Sequence, residues 1–318
     1  VHICTPNYLH HPMAKAALLA GKHVYCEKPL ALTSEQSAEL LEVEAETGNV
    51  GAVNYNLRFY PLCQDARIRI KEEEIGEVRL VHGHYLQDWL FLKSDWNWRL
   101  EPEQGGSMRA VADIGSHWFD MITWLTGHHV TEVMADIATV LPTRLKPKSE
   151  VQTFAGKLEE SEEAVEVEIE TEDYASILFR LSNGARGVVT VSQVSAGYKN
   201  QFQWEVDGSK ASFRWQQERP NEMWIGRREG RNELLVKDPS LMTEKARWSA
   251  GFPGGHAEGY PDTFMQAFKS FYSYLEAGDW SSERNFPTFT DGHRENVLTD
   301  AVAKSAEGGS WVQVPGDG

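Results

Sequence analysis

The chain is 318 residues long with 41% hydrophobic, 25% charged and 11% aromatic residues, a composition that excludes disordered and fibrous classes and suits two globular domains. Its 31 Lys and Arg face 47 Asp and Glu, and the resulting charge of −16 repels nucleic acid and anionic membrane surfaces. The three cysteines, Cys4, Cys26 and Cys63, form no C-x-x-C pair, which argues against a disulfide framework or zinc ribbon and fits a cytoplasmic protein. No apolar stretch approaches the ~18 to 20 residues of a membrane span, and none has the form of a signal peptide.

Residues 1–5 read as a short buried strand ended by Pro6-Asn7. The helical spacing of Leu9, Met13, Ala16, Ala17, Leu18 and Leu19 follows, closed by Gly21. Cys4 and Cys26 lie in strand-like runs and are expected to act as small buried hydrophobes. A second strand over 22–26 leads to Glu27-Lys28-Pro29; Ser34 is placed as the cap of a helix ending at Gly48, and a third strand covers 50–55. This alternation predicts a parallel, doubly wound sheet. Right-handed crossovers then bring Pro6-Asn7 and Glu27-Lys28 to one ligand-binding edge.

Beyond Tyr60 the pattern changes to one helix reaching about residue 75 and a long alternating run over 77–89. After Gly105-Gly106, residues 108–125 read as a helix closed by Gly127, followed by strands at 130–140, 164–170, 175–181 and 187–194. Asn183-Gly184 and Asp207-Gly208 are hairpin turns. The acidic stretch 146–163 reads as a solvated loop, and two helices, 260–276 and 292–305, complete a β-rich domain with peripheral helices.

Asp113 and His117, four residues apart on the predicted helix, project about 40° apart on one face. A carboxylate there can orient an imidazole and stabilise its protonated form, as a general base requires, although a surface Asp–His pair has the same spacing. Lys28, between a strand end and Pro29, can lower the pKa of a bound hydroxyl; solvent-facing lysines also end strands. Thr5-Pro6-Asn7 can aim polar groups at a ligand or simply open a helix. His82-x-His84, His10-His11 and His128-His129 lack a third spaced ligand, so no metal is assigned.

Cys4-Thr5-Pro6-Asn7 with His10, Glu27-Lys28-Pro29, Asn56-Leu57-Arg58-Phe59, Asp113-Ile114-Gly115-Ser116-His117 with Asp120, and Asp291-Gly292 occur in this order. Together they resemble, over essentially the whole chain, the Gfo/Idh/MocA family of nicotinamide-dependent oxidoreductases. The resemblance implies an α/β fold in which 1–56 is the C-terminal portion of a Rossmann domain. It implies that 57–318 is an α+β substrate-binding and oligomerisation domain with a large open, mostly antiparallel sheet. It further implies NAD or NADP as cofactor, a small-molecule sugar or polyol as ligand, and assembly as a homodimer or homotetramer through the open sheet.

By the same resemblance Lys28 polarises the substrate hydroxyl, His117 is the general acid or base, and Asp113 supports both. Thr5, Pro6, Asn7, His10, Glu27 and Lys28 line the nicotinamide end, with Asn56 and Arg58 close by. Trp98 and Arg99 correspond to a loop reaching cofactor and substrate, a tryptophan supplying an apolar wall and an arginine several donors, although a tryptophan-rich loop can equally be packing. His256 and Tyr260 are placed at the border of the substrate pocket. The family's first strand and G-x-G-x-x-G turn normally lie upstream of Thr5 and are not in this sequence, and the glycines at 105–106 and 251–255 do not sit between a strand and a helix. The expectation is a truncated chain without the pyrophosphate cradle. The expected activity is NAD(P)-dependent oxidation of a carbohydrate CH–OH group or its reverse; an NAD-dependent glycosidase of the same superfamily and a non-catalytic sugar-binding or assembly module are the alternatives.

Overall fold

Three short strands, each followed by a helix or turn, form the first layer: β1 (His2–Ile3), α1 (His10–Leu19), β2 (Val24–Cys26), α2 (Ser34–Thr47) and β3 (Gly51–Val53). The computed structural model describes residues 1–148 and 163–316. The strands pair in parallel in the order β1-β2-β3, so the loops after β1 and β2 leave the same edge, as predicted. Ile3, Val24, Cys26 and Val53 are buried with Leu18, Leu40 and Val43 of the flanking helices. Three expectations change here. β1 ends at Ile3, so Cys4 lies beyond the pairing and is exposed, while Cys26 is buried. The cap of α2 is Thr33, whose hydroxyl accepts from Gln36 N, with Ser34 the first helical residue. α1 begins at His10 after a 3-10 turn, Asn7–Leu9.

The second layer is a nine-stranded sheet. The chain continues from β3 as α3 (Pro61–Lys71), β4 (Val78–Leu86), α4 (Pro102–Gly105), α5 (Ser116–Thr126), β5 (Val130–Ala138), β6 (Thr143–Pro147), β7 (Ala164–Glu168), β8 (Tyr174–Leu181) and β9 (Arg186–Ser192), of which β6 and β7 lie outside this sheet. Then come β10 (Gln201–Gly208), β11 (Ala211–Gln216), β12 (Glu222–Arg227), β13 (Glu233–Val236), α6 (Tyr260–Ala277), α7 (Phe289–Gly308) and β14 (Val312–Gln313). The order is β13-β12-β11-β10-β4-β9-β8-β5-β14, antiparallel except for β4 beside β9. β8–β9 is the hairpin that Asn183-Gly184 signals; β10–β11 is a hairpin too, but Asp207 and Gly208 end β10 and the turn itself falls at Ser209-Lys210. α3 stops at Lys71, short of the predicted 75, because Glu73 takes φ 60° and turns the chain toward β4.

One sheet face carries the core. Val81 and Tyr85 of β4, Ile177 and Phe179 of β8, Val189 and Val191 of β9, and Phe202, Trp204 and Val206 of β10 are buried with Trp118 and Phe119 of α5. On the other face Leu80, Val188 and Leu178 are exposed, the period-two pattern of an open sheet. Trp118 donates to the Gln203 carbonyl at 2.8 Å, and Gly83 makes room for it. A Cβ at Gly83 would stand 2.1 Å from that carbonyl oxygen and 2.9 Å from the indole nitrogen. α7 packs against both α2 and β5 and so ties the two sheets together.

β6 and β7 form a separate two-stranded arm. The predicted loop from 146 therefore begins later, because Lys146 and Pro147 pair with Val165 and Ala164; residues 149–162 of that predicted loop lie outside the described residues. Among the described residues, no helix is long and apolar enough to cross a membrane.

Candidate active site

Lys28 emerges from the C-terminal end of β2, and its ammonium crosses to the second layer. There Nζ donates to Asp113 Oδ1 at 2.6 Å and to the Asp113 carbonyl at 2.7 Å. Asp113 lies in a π-helical turn, Val111–Gly115, and His117 in the first turn of α5. The sequence predicted one regular helix here; a π turn widens the spiral locally, a feature concentrated at functional sites. The two side chains of the ion pair are 12% and 13% exposed, so the pair is shielded but reachable. Arg99, on a 3-10 turn (Trp98–Leu100), brings Nε to 3.2 Å from Asp113 Oδ1 and stacks over the Trp98 ring at 4.3 Å.

Burial alone would raise the pKa of Asp113, but the Lys28 charge, then Arg99, outweighs it and holds the carboxyl well below the usual range. His117 goes the other way for a base. Burial, reinforced by the Lys28 charge and opposed by Asp113, pushes its imidazole well below the ordinary histidine value, so the ring is neutral. Its Nδ1 is buried without a hydrogen-bond partner, and the ring meets Tyr55 edge-on at 5.4 Å. A neutral imidazole beside a lysine–aspartate pair can receive a proton while the cation steadies the oxygen that loses it.

The other predicted residues divide into two groups. Glu27 accepts from Asn54 at 2.7 Å beside Lys28, and Asn7 donates to the Gly105 carbonyl at 2.9 Å, joining the β1 loop to the second layer. His10 presents both ring nitrogens to carbonyls, Pro29 at 2.7 Å and Thr5 at 2.9 Å, and so clamps the loops after β1 and β2. Asn56 donates to Thr263 at the start of α6, and the Tyr260 hydroxyl lies beside Asn56. Although 44% of Tyr260 is exposed, burial of its hydroxyl end, with Glu27 nearby, raises its pKa to about 12. Two residues stand apart from the cluster. Arg58 is fully engaged with Asp120 and Asp291, and His256 sits in an exposed loop with its ring on the Gly254 carbonyl at 3.3 Å.

Residues 1–55 match the oxidoreductase family with an NAD-binding Rossmann fold, and residues 63–214 match the GFO/IDH/MocA C-terminal domain. Levoglucosan dehydrogenase of Pseudarthrobacter phenanthrenivorans is 32% identical over 322 residues, covering 99% of this chain and 80% of that protein. The chain belongs to the Gfo/Idh/MocA oxidoreductase family. Inositol 2-dehydrogenase of Rhizobium meliloti is 25% identical, covering 96% of this chain and 77% of that protein. Among solved structures, a levoglucosan dehydrogenase complex with NADH and levoglucosan superposes with a TM-score of 0.87 at 28% identity, covering 100% of this chain and 80% of that one. An inositol dehydrogenase homologue from Azotobacter vinelandii, complexed with NADH and myo-inositol, gives 0.84 at 25%, covering 98% and 77%.

The nicotinamide end expected of this family has residues to hold it. Thr5 Oγ1, at the C-terminal end of β1, is buried without a partner, an unsatisfied polar atom at the edge where a dinucleotide lies in such sheets. Thr5, Asn7 and Glu27 would face that end, while the sequence contains no G-x-G-x-x-G for the pyrophosphate. Two further participants escaped the sequence. Gln193, just after β9, donates to Asp113 Oδ2 at 2.9 Å, and Tyr55 packs on His117. Only the strand-end position of each was readable, and strand ends are numerous.

One grouping with metal-ligand chemistry occurs among the described residues, His82 with Glu205 and Asp207 on the open sheet face. The sequence reading found no third ligand for His82 because the carboxylates come from β10, far along the chain. Its members already have partners: His82 Nε2 is 3.3 Å from Asp207, and Glu205 stands opposite His82 on one side and Arg214 on the other.

Proposed function

We propose that this protein is an NAD(P)-dependent oxidoreductase acting on a CH–OH group of a sugar or polyol. The observation that carries this is the Lys28–Asp113 ion pair set beside a neutral His117 with a free nitrogen, at the edge where Thr5 is left unsatisfied. The chemistry that bound NAD(P) supplies is acceptance or donation of the hydride. The chain's own residues manage the proton. The Lys28 ammonium orients the hydroxyl and stabilises the negative charge that develops on its oxygen. His117, already neutral, receives the proton in oxidation and returns it in reduction. Asp113 holds Lys28 in place, and Arg99 and Tyr260 offer donors to neighbouring hydroxyls. Because burial lowers the His117 pKa, the base stays available as pH falls through the ordinary histidine range.

Further readings accompany this one. We assign residues 1–56 to the nucleotide side and 57–318 to the substrate side, with self-association into a homodimer or homotetramer through the open face and a cytoplasmic setting. Exposed Leu80, Leu178 and Val188 on that face support the assembly. Sedimentation of the purified protein tests it, and a monomer at micromolar concentration refutes it.

The activity is tested by following NADH or NADPH formation by the full-length protein with a panel of sugars and polyols. Accumulation of reduced cofactor with one of them is the expected result. Absence of both turnover and cofactor binding overturns the reading.

A further inference from the structure

Each oxygen of the Asp113 carboxylate has a distinct set of partners. Oδ1 faces Lys28 and Arg99, whereas Oδ2 accepts from Gln193 Nε2 at 2.9 Å. Gln193 is itself fully buried, and its other amide atom, Oε1, accepts from Arg109 Nη1 at 3.2 Å. An arginine has only donors, so the amide oxygen must face Arg109 and the amide nitrogen must face Asp113. The orientation of the glutamine follows from chemistry alone.

Arg109 is held in turn. Its Nε donates to Thr171 at 3.0 Å, and its Nη2 pairs with Asp173, which is also fully buried. The Glu172 carboxylate accepts from the backbone N–H groups of Arg109 and Val111, each at 2.9 Å, and so secures the start of the π turn that carries Asp113. Both the backbone of Asp113 and the free oxygen of its side chain are therefore braced from the 171–173 segment. None of these bonds ends on Lys28 itself.

We propose that Gln193 is a positioning residue for proton transfer: held by Arg109, it fixes the rotation of the Asp113 carboxylate so that Oδ1 stays on Lys28. This rests on the roles given above to Lys28, Asp113 and His117. A carboxylate anchored through one oxygen only can turn about its Cβ–Cγ bond, and a displacement of about 1 Å in a catalytic group costs up to roughly 10²-fold in rate. The effect belongs to the chemical step and leaves binding alone.

The test uses the full-length protein with Gln193→Met, which keeps the length of the side chain and removes its donor. The expected result is a fall in kcat of roughly 10- to 100-fold with KM for the sugar and Kd for the cofactor changed less than about 3-fold. Gln193→Glu should lose more at neutral pH and recover as pH falls, since two carboxylates in contact share a proton and the protonated one can again donate. A packing defect would produce neither the kcat–KM split nor the recovery. A kcat for Gln193→Met within about 2-fold of wild type overturns the inference while the proposed activity stands. Should the wild type turn over no sugar, the activity fails, and a crystal structure of Gln193→Met decides the inference alone: Asp113 rotated off Lys28 supports it, and Asp113 unmoved refutes it.

Discussion

Asp113 and Asp120 lie seven residues apart on one helical segment, Asp120 buried and Asp113 13% exposed, and each touches a basic side chain, yet their protons behave oppositely. Asp113 meets two cations, Lys28 and Arg99, and is held well below the usual carboxylate range. Asp120 shares the single guanidinium of Arg58 with Asp291 and has the Glu295 carboxyl nearby; burial, with Asp291 adding to it and Arg58 opposing, raises it to about 7. Burial is common to both, so the ratio of cations to carboxylates decides the charge. The first region has cation to spare for an incoming hydroxyl. The second gathers the Asp120, Asp291 and Glu295 carboxyls around Arg58, with Arg67 and Arg294 acting from nearby, and serves to join α5 to α7.

The contrast can be broken most severely at the first region. Lys28→Met should lower kcat by roughly 10²- to 10⁴-fold, and His117→Asn by roughly 10²-fold or more, both in a protein that remains folded at the assay temperature. Near-normal turnover by either variant would remove the proton-handling role. In the second region the losses should appear in stability. Arg58→Met strands Asp120 and Asp291 and should cost about 3–5 kcal/mol in denaturant unfolding, a loss that an equal midpoint in urea would contradict.

Smaller effects sharpen the comparison. Asp120 has a folded pKa of about 7 against ~3.9 in an unfolded chain, so its contribution is full at low pH and is lost as pH rises through about 7. Asp291, at about 2 because Arg58 outweighs its burial, contributes above ~3.9 and loses that contribution as pH falls through about 2. The Asp120 contribution should therefore decline between about pH 4 and 7 by on the order of 1 kcal/mol per pH unit, and Asp120→Asn should remove that part of the slope; calorimetry showing parallel profiles would contradict the Asp120 assignment. Thr288 caps α7 and donates to Asp291 at 2.7 Å, so Thr288→Ala should cost only about 1 kcal/mol in thermal unfolding, with turnover unaffected.

The parallel strands, the two hairpins and the stops at Gly48 and Gly127 were legible because each depends on a few neighbouring residues. Lys28, Asp113 and His117 were legible as a set only through the order of their motifs, since nothing local separates them from surface pairs. The misses share a cause. The π turn around Asp113 is secured by Glu172, and Gln193 meets Asp113 across 80 residues of sequence. Beyond β10, the strands from β11 to β13 gave no separate reading, and the arm's first strand ends inside an acidic stretch that looked like loop. Charge balance is equally nonlocal: the acidity of Asp120 depends on Arg58 and on Asp291, which comes from the far end of the chain.

The Asp173 carboxylate serves two arginines. Arg109 supports Gln193 from one side, and Arg144, reaching in from the β6–β7 arm, donates to the same oxygen at 2.8 Å and to the Leu92 carbonyl at 3.0 Å. Because they share one anchor, substitutions at Arg109 and Arg144 will not add, and losing either changes what the other can hold. Descent with modification in this protein is thereby correlated at distant positions: the arm can drift freely on its exposed side, but a change at Arg144 alters which later changes near the reacting hydroxyl are tolerated.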